Sequence, residues 1–351
     1  MTFHLSVLPA MDGDCLLLTF GVDGNCRHVV IDGGRASAYA HLKKRFKAVA
    51  GDKGEVELLV LTHIDADHID GVLKIANDDA QPLRPKHVWY NGYDQMAGIQ
   101  PFGFAQGDEY SRLIGEREWT LNSGFDSGTV SVETSPKPFD LEGLKITILS
   151  PDLAKIAALR RKWSSWRTAE AARIAAREAA PAGLQSLGGG EMPTVLDVAK
   201  LASATPEDSE PPDGSSIAFI AEWQGRRALF AGDAHPDLLV SSIQPLAEAA
   251  GGRLPIDLLK VSHHGSKGNT TRAFIKLLDC RRFVISTNGK RHGHPDPEAI
   301  ARLLAYSSGE KTLYFNYRTK WSGPWDADAL KLEHDFTTVY GDPDGALEID
   351  I

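Results

Sequence analysis

Val56-Glu57-Leu58-Leu59-Val60-Leu61-Thr62-His63-Ile64-Asp65-Ala66-Asp67-His68-Ile69-Asp70-Gly71 is the stretch on which the reading of this chain turns. Its first half is a short apolar run, the pattern of a strand buried on both faces. Its second half puts four potential metal ligands, His63, Asp65, Asp67 and His68, within six residues. Val72-Leu73-Lys74-Ile75 follows with helical character. A loop at a strand end can aim alternate side chains at one point. A helix start adds adjacent ligands and free backbone N–H groups. Imidazole and carboxylate together suit Zn, Mn or Fe, and a carboxylate-rich set tilts toward Mn. A solvated acidic loop would not need four such residues directly behind a buried strand.

Two more apolar runs end in the same kind of residue. Ala228-Leu229-Phe230-Ala231-Gly232 leads to Asp233, and Leu258-Leu259-Lys260-Val261-Ser262 leads to His263-His264-Gly265-Ser266. Two metal ions sharing a bridging carboxylate need about this many ligands. Gly13-Asp14 and Ile31-Asp32-Gly33-Gly34 add turns with an Asp at strand ends, and Gly293-His294-Pro295 follows the run Arg282–Ser286.

Taken together these motifs resemble the metallo-β-lactamase fold hydrolases, and within them the hydrolase domain of the ComEC competence proteins. The resemblance covers roughly residues 3 to 300. It implies an α/β fold, a four-layer αββα sandwich with two divalent metal ions (Zn or Mn, with Fe also admitted) at one edge of the packed sheets. It also implies hydrolysis by a water activated between them. Carried over residue by residue, His63 and Asp65 hold the first metal, with Asp65 where most of the superfamily has His. Asp67 and His68 hold the second, Asp233 bridges, and His263 or His264 completes the second site, with His263 preferred. The superfamily usually adds a mid-chain His to the first site. None lies between His87 and His235, and Asp213, before Gly214-Ser215-Ser216, stands at about that place. Asp67 doubles as the base that orients the water, and His294 is the candidate for protonating the leaving group. Asp14 and Asp32 are expected to hold ligand residues in place rather than bind metal.

The charge distribution bears on the substrate. The chain of 351 residues has a net charge of −9, which alone argues against bulk binding to nucleic acid. Yet Lys260 to His294 holds eight basic residues and a single acid, Asp279. Lys290, Arg291 and His292 lie in a polar loop after a strand and are the candidate substrate contacts. A phosphodiester, DNA among the options, fits such a segment. The competing readings are hydrolysis of a small ester (a phosphorylcholine ester, a cyclic nucleotide or a lactone) and a catalytically silent binding module. Carboxylates and imidazoles that would be costly to bury without a metal count against silence.

The rest of the chain reads as one hydrolase domain, 1–351, with irregular or helical insertions at about 91–135 and 152–214. Residues 36 to 50 have helical spacing, and 152 to 180 are Ala- and Arg-rich with Ile156, Leu159, Trp163 and Trp166 on one face. The composition around Gly188-Gly189-Gly190 and Pro206–Pro212 suggests a mobile loop. Three cysteines without C-x-x-C spacing give no thiolate site. No run is apolar enough to span a bilayer, and no signal peptide is apparent, so a reducing cytoplasm is the expected setting. The oligomeric state is not written in these features.

Overall fold

The computed structural model describes residues 1–22, 24–51, 54–93, 105–135, 138–176 and 192–351, with backbone alone for 167–176. Parts of both expected insertions, and Gly188-Gly189-Gly190, lie outside the described residues.

The first third folds as the apolar runs suggest. β1 (Thr2–Val7), β2 (Leu16–Val22), β3 (Asn25–Ile31), β4 (Glu55–Val60), β5 (Arg84–Trp89) and β6 (Thr120–Leu121) lie side by side in chain order. β1 to β3 are antiparallel, and β4, β5 and β6 are added in parallel. The remaining strands are β7 (Phe139–Leu141), β8 (Leu144–Ser150), β9 (Ala218–Trp223), β10 (Arg226–Phe230), β11 (Leu254–Ile256) and β12 (Leu258–Lys260). They continue with β13 (Leu278–Cys280), β14 (Arg282–Ile285), β15 (Lys311–Phe315), β16 (Phe336–Tyr340) and β17 (Leu347–Asp350). Eight of them form a second sheet in the order β16-β15-β14-β12-β10-β9-β8-β7. β11 pairs with β13, and β17 crosses back to lie beside β1. Gln224 and Gly225 both take positive φ and close the β9–β10 hairpin.

Strand alternation assigns the layers. Leu58 and Val60 of β4, Val29 and Ile31 of β3, Phe219 and Ala221 of β9 and Leu258 of β12 meet in one core between the two sheets. Leu59 and Val30 point the other way, under the helices Ala38–Ala50, Ala66–Asn77 and Ala105–Glu116. Ile220, Leu229 and Leu259 likewise point outward, under Pro236–Ala249 and Pro297–Tyr306. Helices, sheet, sheet, helices is the four-layer αββα sandwich. Among the described residues no helix is long and apolar enough to cross a membrane.

Two local expectations need correction. The 91–135 stretch is not irregular throughout. Tyr110, Leu113 and Ile114 fall at helical spacing and bury one face of Ala105–Glu116. The described end of the supposed mobile loop, residues 203–214, is pinned. The guanidinium of Arg302, 1% exposed, donates to Ser203 O, Thr205 Oγ1, Lys267 O and Thr270 O. Four acceptors around one buried cation outweigh a composition that otherwise resists packing.

Candidate metal centre

The sandwich gathers its strand ends along one edge. β4 delivers His63, β10 delivers Asp233, and β12 delivers His263 and His264. Asp65 is the N-cap of Ala66–Asn77, yet its side chain makes no capping hydrogen bond and turns toward the site instead. The turns around this edge are tight. A Cβ on Gly33 would lie 2.2 Å from Val72 N, and one on Gly13 would lie 1.7 Å from Asp67 O. Only glycine lets these turns approach the helix that carries Asp67 and His68. His263 and His264 both take positive φ, 46° and 55°, followed by Gly265 at 85°. Consecutive left-handed residues with side chains are strained, and such strain is concentrated at functional sites.

Two groups of donors result. His63, Asp65 and Asp213 converge, with His63 Nε2 3.9 Å from Asp213 Oδ1 and 3.7 Å from Asp233 Oδ2. Asp67, His68 and His264 form the second. There His264 Nε2 lies 3.3 Å from His68 Nε2, 3.4 Å from Asp67 Oδ2 and 3.7 Å from Asp233 Oδ2, and His68 Nε2 is 3.6 Å from Asp233 Oδ2. Four donors held tetrahedrally at the usual metal distances stand about 3.4 Å apart. The second group matches that spacing, and Asp233 Oδ2 is common to both.

The hydrogen bonds around the donors leave the right atoms free. His68 Nδ1 donates to Asp32 Oδ2 at 2.8 Å, and His264 Nδ1 donates to Ser286 O at 2.9 Å. Neither acceptor can donate, so each ring presents an Nε2 lone pair to the site. Asp32 also accepts from Thr62 N and Oγ1 and so fixes the start of the loop. Asp14 is buried against Lys260, with its Oδ1 3.6 Å from His264 Nδ1. His63 Nε2 and Asp233 Oδ1 are buried with no hydrogen-bond partner. Orphaned buried donors of this kind ask for an occupant, and the residues present fit two divalent cations.

The electrostatics point the same way. Burial, then the neighbouring charge of Asp67, pushes Asp65 up to about 6, and burial raises Asp213 as well. Burial lowers His63 to about 4 and keeps it a neutral ligand. Burial opposes the charged form of His264, yet Asp233 and Asp14 carry it up to about 9. Carboxylates crowded in low dielectric repel one another unless cations sit among them.

His263 occupies a different place from His264. Its Nε2 is 3.6 Å from Asp233 Oδ2, while its Nδ1 faces Asp208 Oδ2 at 3.4 Å and Asn269 Oδ1 at 3.1 Å. The sequence expectation that preferred His263 for the second site thus meets a geometry in which His264 stands with Asp67 and His68. Asp208 and Asn269 carried no local signal. Asp208 lies in an acidic, Pro-rich run, and only the fold brings it to His263.

His292 and His294 reach the same edge from the loop after β14. Their rings stack 6.1 Å apart, and His294 lies 5.6 Å from the His263 ring. Burial, then the charge of His263, depresses His294 well below its usual range. Lys290 and Arg291 stand beside them in the loop. The rest of the basic segment does not gather there. Lys260 pairs with Asp14, Arg272 and Lys276 cover the Tyr306 ring, and Arg282 reaches Asp350 O.

No family model matches the chain, and no curated protein matches it. Solved structures similar to it are metallo-β-lactamase fold proteins. One is YhfI from Bacillus subtilis, 11% identical with a TM-score of 0.40, over 88% of this chain and 96% of that one. Another is Zn2+-bound PqqB from Methylobacterium extorquens, 13% identical with a TM-score of 0.39, over 99% and 100%. A third is the short form of human tRNase Z, 13% identical with a TM-score of 0.37, over 80% and 90%. At these identities and scores the likeness stops at the fold.

Proposed function

We propose that this protein is a metal-dependent hydrolase that cleaves phosphodiesters. The observation that carries the reading is the pair of donor groups joined by Asp233, with His63 Nε2 and Asp233 Oδ1 buried and unpartnered. In this reading His63, Asp65, Asp213 and Asp233 hold one divalent cation, and Asp67, His68, His264 and Asp233 the other. Two such ions, when bound, lower the pKa of a water between them and stabilise the charge that develops on the attacked group.

The chain's own residues do the rest. Burial disfavours the charged carboxylate of Asp67, but a hydrogen bond to His264 and the charge of His68 hold it well below the usual range. It stays ionised and accepts a hydrogen bond from the attacking water. His294 stays neutral for the reason given above, and its N–H is offered as a hydrogen bond to the leaving oxygen. Lys290 and Arg291 supply positive charge on the approach. The motifs shared with the ComEC hydrolase domain support a nucleic-acid diester over a carboxylic ester.

The test is metal analysis followed by turnover. Purified protein should carry about two equivalents of Zn, Mn or Fe per chain and hydrolyse bis(p-nitrophenyl) phosphate. Asp67→Ala should lose on the order of a hundredfold or more in kcat. A protein that binds no metal, or one active only on carboxylic esters, would overturn the reading.

A further inference from the structure

The loop that carries His292 and His294 past the donors has a second face. Gly289, Lys290 and Arg291 form one wall of a cavity of about 670 Å³, and Arg318, Lys320 and Trp321 form another. That volume falls within the range of small-ligand sites. The two walls are locked together. Trp321, 6% exposed, donates from Nε1 to Gly289 O at 3.1 Å, and a Cβ on Gly289 would lie 2.2 Å from the indole. The cavity is therefore built into the fold, on a segment beyond the reach of the motif resemblance.

Its charge is one-sided. Four cationic side chains line it and no carboxylate does. Among the described residues neither Lys290 nor Lys320 has an ion-pair partner. Arg318 pairs with Asp326 at 2.6 Å but stays 58% exposed. A different cavity, of about 530 Å³, lies beside Gly214 and is lined by Asp152, Glu207, Asp208 and Asp237, with Lys155 paired to Asp237. The surroundings of the donors are thus polarised. One cavity repels anions and the other collects them. Like charges gathered in a concave site focus the field on an incoming anion.

We propose that the cavity between residues 288–293 and 318–321 is a phosphate-binding subsite. It grips a backbone phosphate of a single-stranded oligonucleotide whose scissile diester lies at the donor groups. A cavity of this size admits one nucleotide unit and not a duplex. The inference rests on the phosphodiesterase reading and deepens it, because it requires a substrate with at least two phosphates.

The experiment compares wild type with Arg318→Gln/Lys320→Gln on two substrates. One is bis(p-nitrophenyl) phosphate, and the other is a fluorescein-labelled oligothymidylate of about eight nucleotides. The double variant should lose about tenfold more kcat/KM on the oligonucleotide than on the minimal diester. The slope of log kcat/KM against log salt should become shallower by about 1.4, for two phosphate contacts on a single strand. Anisotropy of the labelled oligonucleotide with metal-free protein in EDTA should show binding about tenfold weaker in the variant. Lys320→Glu, which leaves the Arg318–Asp326 pair intact, should move every readout in the same direction. Parallel losses on both substrates, or unchanged oligonucleotide binding, would overturn the subsite. If wild type turns over neither substrate, the phosphodiesterase reading fails. The EDTA binding arm then decides the subsite by itself, with loss in the variant supporting it and no loss overturning it.

Discussion

His68 Nε2 and His264 Nε2 face each other at 3.3 Å, although 196 residues separate them in the chain. Each ring has its other nitrogen committed to an acceptor, Asp32 and Ser286 O respectively. Two lone pairs this close in a buried site are tolerated only with a cation between them, whether a proton or a metal. His264→Ala should therefore lower the bound metal from about two equivalents to about one, measured by elemental analysis. His263→Ala should keep both, since its ring faces Asp208 and Asn269. Equal loss in the two variants would return His263 to the ligand set.

Asp32 holds the His68 ring and the start of the ligand loop at once, through three hydrogen bonds. Asp32→Asn keeps the volume but puts an amide where a two-oxygen acceptor is needed. Metal affinity should fall about 10- to 100-fold, the usual effect of removing such a partner. Competition against a fluorescent chelator measures it. Unchanged affinity would mean that His68 is oriented by packing alone.

The pH dependence follows from Asp65, which burial and then Asp67 push up to about 6. A carboxyl whose folded pKa is raised favours folding when protonated. In chelator, its contribution is fully present below the ordinary carboxyl range near 3.8 and is lost as pH rises through about 6. A bound cation takes the place of that proton, so metal binding competes with protonation and strengthens over the same interval. The difference in Tm between metal-loaded and chelator-treated protein should grow from pH 5 to pH 7. In Asp65→Asn the growth should be smaller. Scanning fluorimetry across that range is the measurement, and a constant difference would contradict the assignment.

Much of this architecture could be read from the chain, and the reasons it could are local. The run Val56–Leu61 before His63 encodes a buried strand that stops where ligands begin, so its register and its chemistry are both local properties. The helix Ala38–Ala50 shows its buried face in Leu42 and Phe46 in the same way. What could not be read depends on distance. Asp208 and Asn269 reach His263 from separate loops, and nothing in their neighbours marks them. The basic run from 260 to 294 is dispersed by the fold over the sheet and outer helices. Arg318 and Lys320 join Lys290 instead, because Trp321 docks on Gly289. Linear charge counts cannot anticipate which cations share a cavity.

Arg302 is the clearest case of long-range order imposed on an unpromising sequence. Its guanidinium is buried on carbonyls from two segments, 203–205 and 267–270, and no carboxylate is among its hydrogen-bond partners. The first segment leads to Asp208 and Asp213, and the second holds Asn269. Arg302→Met would fill similar space but strand several buried carbonyls, each at about 1–3 kcal/mol before relaxation. Global stability should fall by about 2–4 kcal/mol in urea titration. The sharper expectation concerns the site. Amide exchange should quicken in 203–214 more than in the β4 ligand strand, and metal should be lost first from the group containing Asp213. Elemental analysis during a chelator titration, combined with segment-resolved exchange, checks both. Uniform loss of protection across the domain would reduce Arg302 to an ordinary core residue, with no special hold on the strap over the metal edge.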